Sequence, residues 1–297
     1  MNWSNVRRAV GSLLVFAGIA CEPLCFAASS ASPSPYVGIR LVKVERNIPY
    51  GVGLIRGGSA KQTLMLDAYL PGQNTQPGKA AMLLIHGGGF TGGDKKDYED
   101  AGCYFAERGF VCFSINYRLM GDDPPKQISS TFEDAKTAVR WIRKHCGEYG
   151  VSPKRISAMG SSAGASIADT LALSGADEFR PDVDAPENNP TEDSRIQAAV
   201  DHSGGCAATG EADPKDAPLL IIHAVGDTTS PFQCAESLRD RMKAGGAKYE
   251  FLALPGNEHV PSLSTEFKGK TLYEHVREFL AENLTGDWTR ENIVVVR

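Results

Sequence analysis

Six short, mostly apolar runs constrain the fold of this chain more than any other feature. They lie at residues 81–85, 110–115, 156–159, 196–200, 219–225 and 249–254. Stretches of helical character separate them, at 98–108, 130–149, 162–174, 232–244 and 263–283. Strands that stay apolar on both faces and alternate with helices are the mark of a parallel sheet covered on both sides. Residues 37–44 and 64–70 alternate apolar with polar instead, which suggests a half-exposed hairpin ahead of the parallel strands. The expected fold class is therefore α/β, with a mostly parallel central sheet and helices on both faces.

The helix at 130–149 shows its pattern best. Ser130 and Glu133 have capping-box spacing, and Phe132, Ala135, Val139, Ile142, Cys146 and Tyr149 form one apolar stripe. Lys136, Arg140, Arg143 and Lys144 are expected on its outer face. Gly147 and Gly150 flank its end, and Pro153 blocks continuation. Residues 175–194 are long and polar and are expected to form a surface loop. The segment 293–296 suits either an edge strand or a docked tail.

The N-terminus has the order of an export signal. Arg7 and Arg8 precede an uncharged, mostly apolar stretch at 9–20, and small residues follow. Twelve residues are too few to span a bilayer, which needs about 20. Cleavage after Ala27 is expected, with Ala31 as the next site, so that residues 1–27 are a signal peptide. Lipidation at Cys21 and a twin-arginine route through Arg7-Arg8 fit their flanking residues less well. Residues 28–35 form a Ser/Pro-rich linker, and 36–297 a single catalytic domain. The expected location is secreted or periplasmic, with no stable membrane span once the signal is removed.

Five of the seven cysteines lie beyond residue 27: Cys103, Cys112, Cys146, Cys206 and Cys234. An odd number cannot form a closed disulfide framework. Cys146 is explained by its place on an apolar stripe. Cys206 and Cys234 follow two neighbouring strands, and a disulfide between them beside the site is one arrangement open to them. The formal net charge of −5 argues against a nucleic-acid partner, for which a basic excess is usual.

Two glycine motifs carry the chemistry. Gly160-Ser161-Ser162-Ala163-Gly164 is a G-x-S-x-G entered from an apolar run and followed by small helical residues. A nucleophile elbow needs that strand-to-helix context, which would lift the Ser162 hydroxyl above the sheet. A glycine-rich turn that only packs helix on strand is the plainer alternative. The second motif, His86-Gly87-Gly88-Gly89-Phe90, directly follows the apolar run at 81–85. A tetrahedral oxyanion needs preorganised N–H donors, and Gly88, Gly89 and Ala163 are assigned that task. No lysine closes the glycine run as a phosphate loop requires. His86 is expected to orient this loop rather than to act as a base.

Downstream, Asp227 follows the run at 219–225, and His259 follows the run at 249–254. The order Ser, Asp, His makes His259 the general base toward Ser162 and Asp227 its orienting carboxylate. Taken alone, Asp227 is equally a helix cap and His259 a surface residue. Asp201, His202 and Glu258 lie near the same rim and are the stand-ins.

With these motifs in order, the chain resembles the α/β-hydrolase superfamily, in its hormone-sensitive-lipase-like and bacterial feruloyl-esterase-like branch of carboxylesterases. The resemblance runs through LMLDAYLP (64–71), LLIHGGGF with GGDK (83–95), SINYRL (114–119) and EDAKTAVRWIRKH (133–145). It continues through VSPKRISAMGSSAGA (151–165), SRIQAAVDHSGG (194–205), PLLIIHAVGDTTSP (218–231) and LPGNEH (254–259). It implies Ser162, Asp227 and His259 as the catalytic triad, and Gly88, Gly89 and Ala163 as oxyanion donors. One departure is His202-Ser203-Gly204-Gly205-Cys206, where relatives often carry aromatic-Gly-Pro. Another is the short stretch 204–217, where relatives often insert a lid. The resemblance therefore implies an open site without a large lid domain.

These readings lead to an exported serine carboxylesterase acting on small-molecule esters, with no metal or organic cofactor. Three alternatives remain: a carbohydrate esterase acting on an acylated sugar or polysaccharide, a prolyl-oligopeptidase-like serine peptidase, and a non-catalytic binding protein on a hydrolase scaffold.

Overall fold

The computed structural model describes residues 41–55, 58–72, 77–120 and 124–284. The expected signal peptide at 1–27, the linker at 28–35 and the segment 293–296 lie outside the described residues.

Eight strands form one sheet: β1 (Val42–Leu54), β2 (Lys61–Pro71), β3 (Lys79–Ile85), β4 (Val111–Ile115), β5 (Val151–Ser161), β6 (Ala198–His202), β7 (Leu219–Ala224) and β8 (Tyr249–Leu254). Their spatial order is β1-β2-β4-β3-β5-β6-β7-β8. The pairs β1–β2 and β2–β4 are antiparallel, and every later pair is parallel. The register aligns Ile115, Ile85, Gly160 and Asp201 across four neighbouring strands. The turns that leave the parallel strands consequently open along one edge.

The apolar runs are explained by two cores. Along β3, Ala81, Leu83 and Ile85 face one layer, while Ala80, Met82 and Leu84 face the other. The first layer contains α2 (Pro124–Lys144), α4 (Ala163–Ala172) and α5 (Phe232–Ala244); the second contains α1 (Glu99–Glu107) and α6 (Leu272–Asn283). A strand buried on both faces cannot alternate apolar with polar. The fold is the expected one, without a large added domain among the described residues. No helix among them is long and apolar enough to cross a membrane.

Several local expectations are corrected. Helix α2 begins at Pro124 rather than at Ser130. Proline is tolerated in a first turn, whose N–H groups have no intrahelical partner anyway. The helix also stops at Lys144, and Cys146–Tyr149 form a separate turn, α3, closed by Gly150 at φ +63°. Lys136 and Arg140 are fully buried instead of facing solvent. The reason is the 175–194 segment, a surface loop as expected, which packs over that side of α2. Lys136 Nζ donates to the Ser174 and Gly175 carbonyls at 3.2 and 2.6 Å. The buried Asn188 side chain brackets Val52, accepting from its N–H at 2.8 Å and donating to its carbonyl at 2.9 Å. Arg118 then ties Asp182 of the segment to Asp134 of α2 at 2.6 and 2.7 Å.

The helix expected over 263–283 begins only at Leu272. A hairpin of β9 (Glu266–Phe267) and β10 (Lys270–Thr271) precedes it, turning through Lys268 and Gly269 at positive φ. Thr271 and Glu274 supply the capping box. Strand β1 begins at Val42, inside the expected 37–44 run, of which 37–40 lie outside the described residues, and it continues through Leu54 despite Pro49, Gly51 and Gly53. It is an edge strand, where missing donors are tolerated, and its register shifts between Glu45 and Ile48 and again between Pro49 and Gly51.

Cys206 and Cys234 form a disulfide, while Cys103, Cys112 and Cys146 are buried thiols outside it. The bridge joins the segment after β6 to the first turn of α5 and closes a loop of sequence separation 28. Such a closure contributes about 3–4 kcal/mol in the chain-entropy picture. Replacing both cysteines by serine should lower Tm by about 6–12 °C. Thermal denaturation of the pair variant beside the unreduced protein checks this; an unchanged Tm contradicts it.

Candidate active site

Strand β5 ends in a turn that only small residues can make. A Cβ on Gly160 would lie 2.0 Å from the Gly164 carbonyl oxygen, and one on Gly164 would lie 2.1 Å from the Ile85 carbonyl oxygen. This contact brings β5, the start of α4 and the end of β3 together. Between the two glycines, Ser162 adopts φ +54° and ψ −118°, a conformation that L-residues rarely hold. Ser162 N–H donates to the His202 carbonyl at 3.0 Å, and the Ser162 carbonyl accepts from Ala165 at 3.0 Å. The hydroxyl is thus carried on a fixed corner at the carboxyl edge of the sheet.

The three residues singled out for the triad are adjacent here. His259 Nε2 lies 2.9 Å from Ser162 Oγ, and His259 Nδ1 lies 2.7 Å from Asp227 Oδ2. A carboxylate oxygen only accepts, so Nδ1 carries the proton and Nε2 is left to accept from the serine. Asp227 Oδ1 accepts from the N–H groups of Thr229 and Ser230 at 2.9 and 3.0 Å. Burial opposes charge on Asp227, but the hydrogen bonds from His259, Ser230 and Thr229 outweigh it. Together they hold the carboxyl below the usual carboxylate range.

The glycine loop passes directly against this corner. A Cβ on Gly87 would lie 3.2 Å from Ser162 Cβ. Gly88, Gly89 and Phe90 follow at φ +104°, +61° and +64°. Gly88 and Gly89 are exposed, and their N–H groups, like that of Ala163 at the head of α4, have no backbone acceptor among the described residues outside α4 itself. Such N–H groups beside a nucleophile can receive negative charge developing on an oxygen.

His86 lies beneath the loop. Its ring stacks on Tyr117 at a centroid separation of 4.3 Å, its Nδ1 is 2.8 Å from the Gly87 carbonyl, and burial lowers its pKa. Tyr117 Oη donates to the His86 carbonyl at 3.0 Å. Asn116 ties in the GGDK stretch, donating to Asp94 at 3.0 Å and accepting from Lys95 N–H at 2.6 Å. Neither Asn116 nor Tyr117 stands out in the sequence as part of the site. Both belong to the quoted SINYRL stretch, and their position immediately after a buried strand was the available signal.

The stand-ins are placed differently. Asp201 is buried and accepts from Gly204 N–H at 2.6 Å, Glu258 is exposed, and His202 is buried below the elbow. Ser203, overlooked in the sequence, receives Val260 N–H at 3.3 Å and so anchors the His259 loop. Among the described residues, no group of three or more His, Cys, Asp or Glu side chains is gathered to hold a metal ion.

A serine on a strained elbow, hydrogen-bonded through a histidine to a carboxylate beside a glycine loop, is the arrangement of serine hydrolases on an α/β sheet. The family comparisons agree. The BD-FAE family model matches residues 66–209, and the prolyl oligopeptidase family model matches 190–287. Among curated proteins, the chain is 25% identical to the probable carboxylic ester hydrolase LipM of Mycobacterium tuberculosis, covering 86% of this chain and 65% of that protein. It is 29% identical to fumonisin B1 esterase of Sphingopyxis macrogoltabida, over 39% of this chain and 24% of that protein. The chain therefore spans less than two thirds of the length of these curated relatives. Among solved structures, the butyrate-bound esterase Est2 of Thermogutta terrifontis aligns with a TM-score of 0.62 and 25% identity, covering 74% of this chain and 90% of that one. The fold is that of the α/β-hydrolase superfamily, and the chain is similar to esterases built on it.

Burial brings the His202 pKa down to about 4, against a hydrogen bond to the Pro261 carbonyl that favours the charged form. An unfolded histidine takes up its proton near about pH 6.5. The unfolded state thus binds the proton first as pH falls, and stability is lost from about pH 6.5 down to about 4. The full effect is roughly 3 kcal/mol. His202→Gln should flatten the fall of Tm across that window, whatever its effect at neutral pH. Equal slopes for the two proteins would contradict the assignment.

Proposed function

We propose that this protein is a serine carboxylesterase, with Ser162 as nucleophile, His259 as general base and Asp227 as the carboxylate that orients it. The observation that carries this reading is the continuous contact from Ser162 Oγ through His259 to Asp227, set against the Gly87–Gly89 loop. Ser162 Oγ attacks the ester carbonyl while its proton passes to His259 Nε2. The carbonyl oxygen becomes an oxyanion facing the N–H groups of Gly88, Gly89 and Ala163. Collapse expels the alcohol with the proton from His259 and leaves an acyl group on Ser162. Water, deprotonated by His259, then attacks the acyl-enzyme and releases the acid. The relatives' names as ester hydrolases and the butyrate bound to the Thermogutta esterase support an ester of a small carboxylic acid.

A second reading is a carbohydrate esterase taking acetyl or feruloyl groups from sugars. The exposure of Gly88 and Gly89 and the short 203–218 connection, which carries no lid helix, favour it by leaving room for a bulky alcohol. We also infer export through a signal at residues 1–27, ahead of a linker at 28–35 and a catalytic domain at 36–297. The Cys206–Cys234 bridge supports an oxidising compartment.

Chromogenic esters of short and long acids, acetylated and feruloylated sugars, and peptide amides should be assayed side by side. Ester hydrolysis is expected to exceed amide hydrolysis, and Ser162→Ala to lower ester kcat by about 10⁴-fold or more. Paraoxon should add its diethylphosphoryl group to the peptide containing Ser162. Folded protein that hydrolyses no ester and takes no label would refute the reading. For export, N-terminal sequencing of protein from the periplasm or medium should begin at Ala28; an intact Met1 there would oppose it.

A further inference from the structure

His223, the penultimate residue of β7, also lies beside the Asp227 carboxylate, and nothing in the sequence singles it out. Its side chain is fully buried. Nε2 lies 2.8 Å from the Ser230 carbonyl and 3.3 Å from Asp227 Oδ2. Both neighbours accept only, so Nε2 carries a proton, directed at the Ser230 carbonyl with Oδ2 beside it. Oδ2 is the same oxygen that receives His259 Nδ1–H at 2.7 Å.

Ser230 joins the same arrangement from its other side. Its N–H donates to Asp227 Oδ1 at 3.0 Å, and its hydroxyl donates to the Gly204 carbonyl at 2.7 Å. The turn that carries the carboxylate is thereby fastened to β7 through His223 and to the end of β6 through Gly204. Asp201 and His202 of β6 lie within electrostatic reach of His223, and the Phe232 ring of α5 stands edge-on to it at a centroid separation of 5.9 Å.

We propose that His223 is a positioning residue for the proposed reaction. By holding the Ser230 carbonyl and placing an N–H beside Oδ2, it sets the plane and acceptor strength of the Asp227 carboxylate that His259 meets. A carboxylate free to rotate on its Cβ–Cγ bond would spread the His259 ring over several orientations, of which one brings Nε2 to Ser162. The loss would fall on the chemical step and not on substrate binding.

His223→Phe keeps a ring in the pocket and removes the N–H, while His223→Gln returns an N–H near the Nε2 position. The phenylalanine variant should lose about tenfold in kcat with KM within about twofold. The acid limb of its kcat/KM profile should move to higher pH, because Oδ2 with one fewer N–H beside it favours the His259 imidazolium. The glutamine variant should recover most of kcat and the original limb. Unchanged kinetics in folded His223→Phe would overturn the proposal. So would a kcat loss with an unmoved limb that glutamine fails to rescue, since that pattern belongs to a merely structural residue.

The inference rests on the hydrolase reading of this site, and a second measurement separates the two. The low-field proton resonance of His259 Nδ1–H reports the contact with Asp227 whether or not an ester is turned over. A shifted or lost signal in the phenylalanine variant, brought back toward its original position in the glutamine variant, supports the positioning role. An unchanged signal overturns it, while absence of esterase activity in the unmodified protein bears on the function alone.

Discussion

The contact on which the site depends is the backbone approach at Gly160 and Gly164, where β5 passes into α4 beside the end of β3. Side chains at either glycine would enter the space of a backbone carbonyl. With both absent, the strand and helix meet closely enough to force Ser162 into its positive-φ corner. That corner costs conformational energy, which the packing of α4 between sheet and α2 offsets. Because the register aligns Ile85, Gly160 and Asp201, the same approach also delivers the glycine loop after β3 and the turn after β6 to the serine.

A second constraint is electrostatic and centres on Asp227. Its carboxylate leaves water and needs donors in return. It finds them in His259, in the N–H groups of Thr229 and Ser230, and in the flank of His223. Thr229 and Ser230 belong to the turn of Asp227 itself, but His223 comes from β7 and His259 from the loop after β8, so the full set of donors assembles only when both strands and that loop are in place. The disulfide reinforces this corner by linking the segment after β6 to α5.

Much of the architecture was readable because it repeats. The parallel strands and their helices follow from apolar runs of the right length, and each run contributes to both cores. Misreadings fell where a distant segment changed the environment of a local pattern. Lys136 and Arg140 looked solvent-facing on a helical wheel, yet the 175–194 segment covers them and supplies carbonyls to Lys136. That segment is the surface loop expected, but its hold on the body was hidden because Asn188 and Asp182 are ordinary polar residues until Val52 and Arg118 are beside them. The start of α6 was a different kind of error, since Lys268-Gly269 and the Thr271–Glu274 capping box were visible in the sequence.

The sequence by itself determined the layered α/β sheet, the elbow at Gly160–Gly164, the glycine loop after β3, and the order in which Ser162, Asp227 and His259 occur. These are consequences of local sterics and hydrophobic periodicity, which neighbouring residues specify. Tertiary structure alone decided the pairing of Cys206 with Cys234, the burial of His202 below the elbow, the support of His86 by Tyr117, and the place of His223 against Asp227. Those contacts join strands and loops far apart in the chain. Their geometry depends on strand order and register, which no single segment contains.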